Sequence, residues 1–335
     1  MNKTHFGTLP TGEEIYKFTL TSEDSTAEII SRGATILSFR PFGEEIIAGF
    51  DTLEDYLAAR SFHGATVGRV CNRIVGASFV MDGKEIKLSK NNGEHFLHGG
   101  TDGWTARAWS VLDYGKDFVK LGLSSRDGES GFPADVDVEA LFTLKGSALI
   151  VSYKAIPYGK TPIMITTHGF FNLNGFATTV DEHEVTIYAD QYTEVDEKRL
   201  PTGRRASVDG TFLDFRTPHR ICERIDESPI GYDHNYILRG DNIVSMDGAP
   251  LALAARVVGE HLKLTAYTNQ VGIQFYVQMR ASDSAPTLHG GIKQFPRCAF
   301  CIEPQLEPDC VRRGLAIYDK GEVYESTIVY HVERI

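Results

Sequence analysis

Cysteine, positive charge, long apolar runs and helical periodicity are all scarce in this sequence, and each scarcity excludes something. Five cysteines among 335 residues, an odd number at scattered positions, make no disulfide framework and fit reduced thiols in a cytoplasmic protein. Cys298 and Cys301 have the C-x-x-C spacing. On a strand an offset of three points them to opposite faces, so one metal cannot take both thiols, and with no second pair zinc is not expected. No segment approaches the roughly 20 apolar residues of a membrane span. The N-terminal MNKTHFGTLPTGEEIYKF lacks the apolar run of a secretory signal. Lysine and arginine number 34 against 45 acidic residues, a formal net charge of -11. That balance disfavours nucleic acid and anionic membrane surfaces as partners.

What is present is the text of a soluble globular protein, 42% hydrophobic and 24% charged. Short apolar or alternating bursts predict strands throughout: IYKFTLTS, AEIISRG and TILSFRPF early, several between Trp109 and Tyr153, then DHNYIL, LALAARVV, LKLTAYT, GIQFYVQM, AFCIEPQ and STIVYHVERI. Asp82-Gly83 between FVM and KEIKL predicts a tight hairpin, because that dipeptide tolerates positive φ. VTIYADQYTEVDEKRLPTGRR reads as a strand running into a proline-and-glycine turn. The one helix the spacing predicts is Asp51–Ala58, capped by Asp51, with Leu53, Tyr56 and Leu57 on one side. Without a linker, a repeat or a low-complexity tract, the expectation is one all-β domain over residues 1–335, a large antiparallel β-sandwich with few short helices.

Three stretches carry candidate chemistry. In IMITTHGFFNLNG, Ile163–Gly175, a two-residue beat places Ile163, Ile165, Thr167, Phe171 and Leu173 on one face, and Met164, Thr166, His168, Phe170 and Asn172 on the other. The second face mixes hydrogen-bonding groups with an aromatic wall, as a pocket for a polar small molecule requires. A histidine in an apolar strand is more often a satisfied structural group, so His168 needs company. GIQFYVQM puts Gln274, Tyr276 and Gln278 opposite Ile273, Phe275 and Val277, a pattern equally at home in a sugar site and on a solvated face. Glu303 follows an apolar run and precedes Pro304. A carboxylate partly desolvated there would be a base near neutral pH, although exposed glutamates at strand ends are common.

Taken in order, GRVCNRI, LHGG, THGFFNLNG, YTEVDEKRLPTG, DHNYIL, GIQFYVQM and CIEPQ resemble the successive signatures of the aldose 1-epimerase (galactose mutarotase) family along nearly the whole chain. The resemblance implies the galactose mutarotase-like supersandwich and an isomerase of α and β anomers of free aldohexoses. It implies Glu303 as general base, His168 as general acid and His98 as a second catalytic histidine, with Asn72, Arg73, Asp233 and Gln274 holding sugar hydroxyls. It implies no cofactor and no metal, a monosaccharide as partner, and a cytoplasmic monomer or homodimer. For acid–base chemistry Glu303 is expected ionised and His168 protonated at rest.

The chain departs from the family strings around His168, where Thr167 precedes it and Gly169-Phe170 follow, at Val271, at Pro304, and in Pro308-Asp309-Cys310-Val311-Arg312. These changes alter the pocket wall and bear on substrate preference. Four other readings compete: a glycoside hydrolase using Asp233 with Glu303, a hexose-6-phosphate epimerase with Arg69, Arg73 and Arg107 around the phosphate, a metal site from His95, His98 and His168, and a carbohydrate-binding protein without catalysis.

Overall fold

The computed structural model describes residues 2–59, 61–246 and 249–335. Strands dominate, as the alternating text predicts. The largest sheet has ten strands in antiparallel order, running from Ser110–Tyr114 through Phe118–Ser125, Val136–Lys145 and Ala148–Pro157 to Tyr324–Arg334, then Leu262–Thr268, Ala249–Val258 and beyond. A four-stranded meander, Lys3–Thr8 to Thr35–Pro41, lies at the N-terminal end of the chain. One continuous apolar core holds side chains from Phe18 to Val332, including Leu121, Phe142, Val151, Leu264, Phe275 and Ile328.

A five-stranded antiparallel sheet carries most of the candidate residues. Its strands are β1 (Ala189–Val195), β2 (Pro201–Ser207), β3 (Asp233–Leu238), β4 (Gly272–Val277) and β5 (Phe300–Gln305), in the order β2-β1-β3-β4-β5. Period-2 geometry sends Ile273, Phe275, Val277, Phe300 and Ile302 into the core. Gln274, Tyr276, Cys301 and Glu303 take the other face. The register sets Gln274 opposite Asn235 on one side and Glu303 on the other. Pro304 is tolerated because β5 is the sheet's last strand.

The Asp82-Gly83 hairpin is present, with both residues at positive φ and Met81 paired to Lys84. Three local expectations need correction. The helix, Leu53–Ala58, is capped by Thr52, whose hydroxyl accepts from the Asp55 amide at 3.1 Å. Asp51 instead pairs with His289 across 2.6 Å. In Val185–Arg205 the reversal falls at residues 196–200, ahead of the proline, and Pro201 opens strand β2 rather than a turn. The stretch 163–175 is not one strand, since only Thr166–Thr167 forms a ladder, against Thr66–Val67. Its face assignment survives in part. Ile163, Ile165, Phe171 and Leu173 are in the core, and His168 stays tied to the backbone of Gly64 and Ala65. Met164 packs in a separate apolar cluster, and the Asn172 side chain donates to the carbonyls of Thr178 and Cys298. Those local backbone demands break the beat.

Candidate active site

A cleft of about 180 Å³ opens over the five-stranded sheet, lined by Asn72, Arg73, His98, His168, Asp233, Gln274 and Glu303 together with Phe62, Phe170, Tyr276 and Arg199. All seven residues singled out in the sequence therefore meet, although they span 231 positions of chain (303 − 72). The sheet supplies Asp233, Gln274 and Glu303 from three adjacent strands. Asn72, His98 and His168 come from loops, and Arg73 from the short strand Arg73–Ile74 paired with Phe96–Leu97.

Asn72 and His98 hold each other. The Asn72 amide donates to His98 Nδ1 and the His98 amide to the Asn72 carbonyl, both at 3.1 Å. With Nδ1 accepting, the neutral His98 ring carries its proton on Nε2. Both residues sit at positive φ, 60° and 46°, a strained backbone that concentrates at functional sites. The glycines of LHGG have a steric role: Gly99 is at φ 90°, and a Cβ there would lie 2.2 Å from the Gly68 carbonyl oxygen. Close packing of the two loops brings His98 over the sheet.

From Asn72 a polar chain crosses the floor. Its Nδ2 donates to Gln274 Oε1 at 3.1 Å, and Gln274 Nε2 donates to Asp233 Oδ1 at 2.7 Å. Arg73 and Arg199 approach the other oxygen of Asp233 at 3.7 and 3.6 Å. At the opposite side His168 Nε2 stands 3.6 Å from Glu303 Oε1. The second oxygen, Oε2, is buried with no hydrogen-bonding partner among the described residues, so it is available to a ligand in the cleft. The His168 ring stacks on Phe170 at 4.9 Å and stands edge-on to His98 at 5.2 Å. Phe62 covers both histidines.

Burial governs the charges. Desolvation, reinforced by nearby Asp233, pushes the Glu303 carboxyl well above its ordinary range against the opposing pull of Arg73. Desolvation drops His168 to about 4, with its own backbone and Asp233 working the other way. His98 is held well below the imidazole range by burial, then by His168 and Arg73. The cleft by itself thus favours a neutral Glu303–His168 couple, not the ion pair expected at rest. Both arrangements contain the same single proton, and a couple this close titrates as one unit.

Two competing arrangements fall away. Arg69 is buried and directs its guanidinium to the carbonyls of Pro133, Ala134 and Arg126 and the hydroxyls of Ser125 and Thr161. Arg107 pairs with Glu129 at 2.8 Å, so no arginine trio forms around a phosphate. His95 accepts from the Gly76 amide away from the cleft, so the set His95, His98, His168 does not assemble. His98, His168 and Glu303 do present donor atoms within 4.8 Å of one another, a group able to hold a cation, but moving protons between them needs none. The five cysteines are free.

A family model described as aldose 1-epimerase matches residues 16–331. The chain belongs to the aldose 1-epimerase family. It is 37% identical to the galactose mutarotase of Bos taurus, with 96% of this chain and 95% of the relative covered. Identity to the galactose mutarotase of Homo sapiens is 36% over the same shares. With the aldose 1-epimerase of Escherichia coli (strain K12) it is 34%, covering 73% and 72%. A solved GalM/aldose epimerase homologue from C. elegans matches with a TM-score of 0.86 at 25% identity over 95% of this chain and 99% of that one. The galactose 1-epimerase of Lactobacillus acidophilus, at 24% identity, shares the fold with a TM-score of 0.85 over 99% and 98%. This aldose 1-epimerase is an isomerase, with no helix among its described residues long and apolar enough to cross a membrane. Of the cleft residues, sequence reasoning missed Arg199 and Phe62. Arg199 lies inside the string YTEVDEKRLPTG, where nothing local tells which way its side chain points.

Proposed function

We propose that the cleft interconverts α and β anomers of free aldohexoses such as galactose and glucose, with Glu303 as base, His168 as acid and His98 beside the ring oxygen. The supporting observation is the buried His168–Glu303 couple at 3.6 Å facing a polar floor. At 3.6 Å the two groups stand just beyond hydrogen-bond length, so neither is locked to the other and each can turn to a sugar oxygen in the cleft beside them. Passing the couple's one proton from Glu303 to His168 arms both groups. Glu303 then takes the C1 hydroxyl proton, the C1–O5 bond breaks as C1 becomes a carbonyl, and O5 receives the proton of His168.

Rotation about C1–C2 turns the carbonyl's other face to the C5 hydroxyl. Its oxygen attacks C1, its proton returns to His168, and the C1 oxygen takes back the proton from Glu303. Every proton is restored, and no cofactor or metal enters. Asn72, Arg73, Asp233 and Gln274 grip the hydroxyls, while Phe170 and Tyr276 cover the sugar's C–H surface. In this reading the whole chain is one catalytic domain, a cytoplasmic monomer or homodimer with no nucleic acid or membrane partner.

Polarimetry tests it. Freshly dissolved α-D-galactose and α-D-glucose are followed with wild type, Glu303→Gln and His168→Ala. Wild type is expected to speed the approach to equilibrium, with each variant slower by about 10²–10⁴-fold. A wild type indistinguishable from buffer on every free aldose refutes the assignment.

A further inference from the structure

The structure assigns Arg199 as a substrate-gripping residue, aimed into the cleft by a strained turn and closing on the sugar hydroxyls beside Asp233. The assignment rests on the sugar reading above and extends it to a residue to which that reading gives no role.

The turn joins β1 to β2 and is built to hold one shape. Asp196 Oδ1 accepts from the amides of Lys198 and Leu200 at 2.8 and 2.9 Å. The Arg199 amide donates to the Asp196 carbonyl, and the Asp196 amide to the Leu200 carbonyl, both at 2.9 Å. Within this clamp Arg199 takes φ 64°, a left-handed conformation that an arginine pays for and a glycine would not. Glycine would take that φ without steric cost, and the residue here is arginine. The consequence of keeping arginine is a guanidinium that lines the cleft, its side chain 34% exposed against 9% for Asp233.

Asp233 does not account for that guanidinium. Its Oδ1 already accepts from Gln274 at 2.7 Å. On Oδ2, Arg199 at 3.6 Å and Arg73 at 3.7 Å stand beyond hydrogen-bond length. The contact is one of charge, and it leaves the directional N–H donors of both arginines free to turn toward a ligand. Two planar donor forks flanking one carboxylate form a wall that gives hydrogen bonds from two sides and accepts them in the middle. Vicinal hydroxyls of an aldose, each both donor and acceptor, satisfy such a wall. The couple that moves protons lies elsewhere in the cleft, so Arg199 holds substrate in ground and transition state alike.

Uniform binding predicts a change in KM with kcat preserved. Wild type, Arg199→Ala, Arg199→Gly and Arg199→Lys are compared by polarimetry for KM and kcat on galactose, by equilibrium dialysis of labelled galactose for Kd, and by thermal unfolding. Expected are a rise of about tenfold or more in KM and Kd for Arg199→Ala and Arg199→Gly, kcat within about twofold, partial recovery in Arg199→Lys, and a midpoint for Arg199→Gly no lower than wild type. Unchanged KM and Kd overturn the assignment. So does a KM rise accompanied in Arg199→Gly by a lowered midpoint, which marks a structural role. If wild type binds galactose without accelerating mutarotation, the catalytic reading fails and Kd still decides Arg199. If wild type does not bind galactose at all, both fall.

Discussion

His168 Nε2 and Glu303 Oε1 lie 3.6 Å apart at the bottom of the cleft, in side chains 8% and 2% exposed. Burial pushes each toward its neutral form, His168 down to about 4 and Glu303 up, and groups this close titrate as one unit. The proposed acid and base are therefore two ends of one device.

A device with two ends fails when either is removed. Glu303→Gln and His168→Ala are each expected to lower kcat by about 10²–10⁴-fold, and the double variant to lose little beyond the worse single one, because groups acting as a unit are not additive. Losses that multiply, measured by polarimetry, would show two independent contributions.

The pH profile follows from the same burial. Below about 4, His168 gains a second proton for the couple and no base remains. Above the raised pKa of Glu303 the couple has lost its last proton and no acid remains. Activity is carried by the one-proton form between them. The acid limb of kcat/KM is thus expected well below the ordinary imidazole value of about 6.5. A limb at that ordinary value contradicts a desolvated His168.

Gln274 is the joint between Asn72 and Asp233, accepting from one and donating to the other. Gln274→Glu replaces the donor with a second acceptor against Asp233. Loss of a hydrogen bond to a charged group costs roughly 1.5–3 kcal/mol, so KM for galactose is expected to rise about tenfold to a hundredfold. Initial-rate polarimetry over a range of sugar concentrations checks this, with unchanged KM as the contrary result.

Stability carries its own pH signature. His183 is fully buried, its Nε2 accepting from the Leu173 amide at 3.0 Å, and desolvation lowers it to about 4. The unfolded chain takes up this proton near 6.5, the folded chain only near 4, so the stabilisation is whole above 6.5 and drains away as pH falls toward 4. At about 1.4 kcal/mol per unit the group accounts for roughly 3 kcal/mol. In His183→Gln, whose side-chain oxygen can accept the same amide, urea unfolding between about pH 7 and 4.5 is expected to show a correspondingly flatter loss. An identical slope in both proteins rules this out.

Much of the fold is legible in the sequence because strands are read from period 2. Ile273, Phe275 and Val277 enter the core as their spacing requires, and Asp82-Gly83 turns where its φ preference allows. The failures are equally physical. Ile163–Gly175 keeps only part of its apolar beat, because backbone bonds to Gly64, Ala65 and Phe300 hold it in a course that no local pattern encodes. Thr52 rather than Asp51 caps the helix, and Asp51 instead meets His289, 238 residues away.

By itself the sequence determined the strand text, the hairpin, and the short motifs whose order identifies the family, since each depends on residues close together in the chain. The tertiary structure decided the rest. It brought Asn72, His98, His168, Asp233, Gln274 and Glu303 to one cleft, pushed Glu303 and His168 by burial toward their neutral forms, removed Arg69 and Arg107 to other duties, and turned Arg199 inward. Desolvation and the direction of a side chain depend on neighbours far away along the chain, and only the folded protein supplies them.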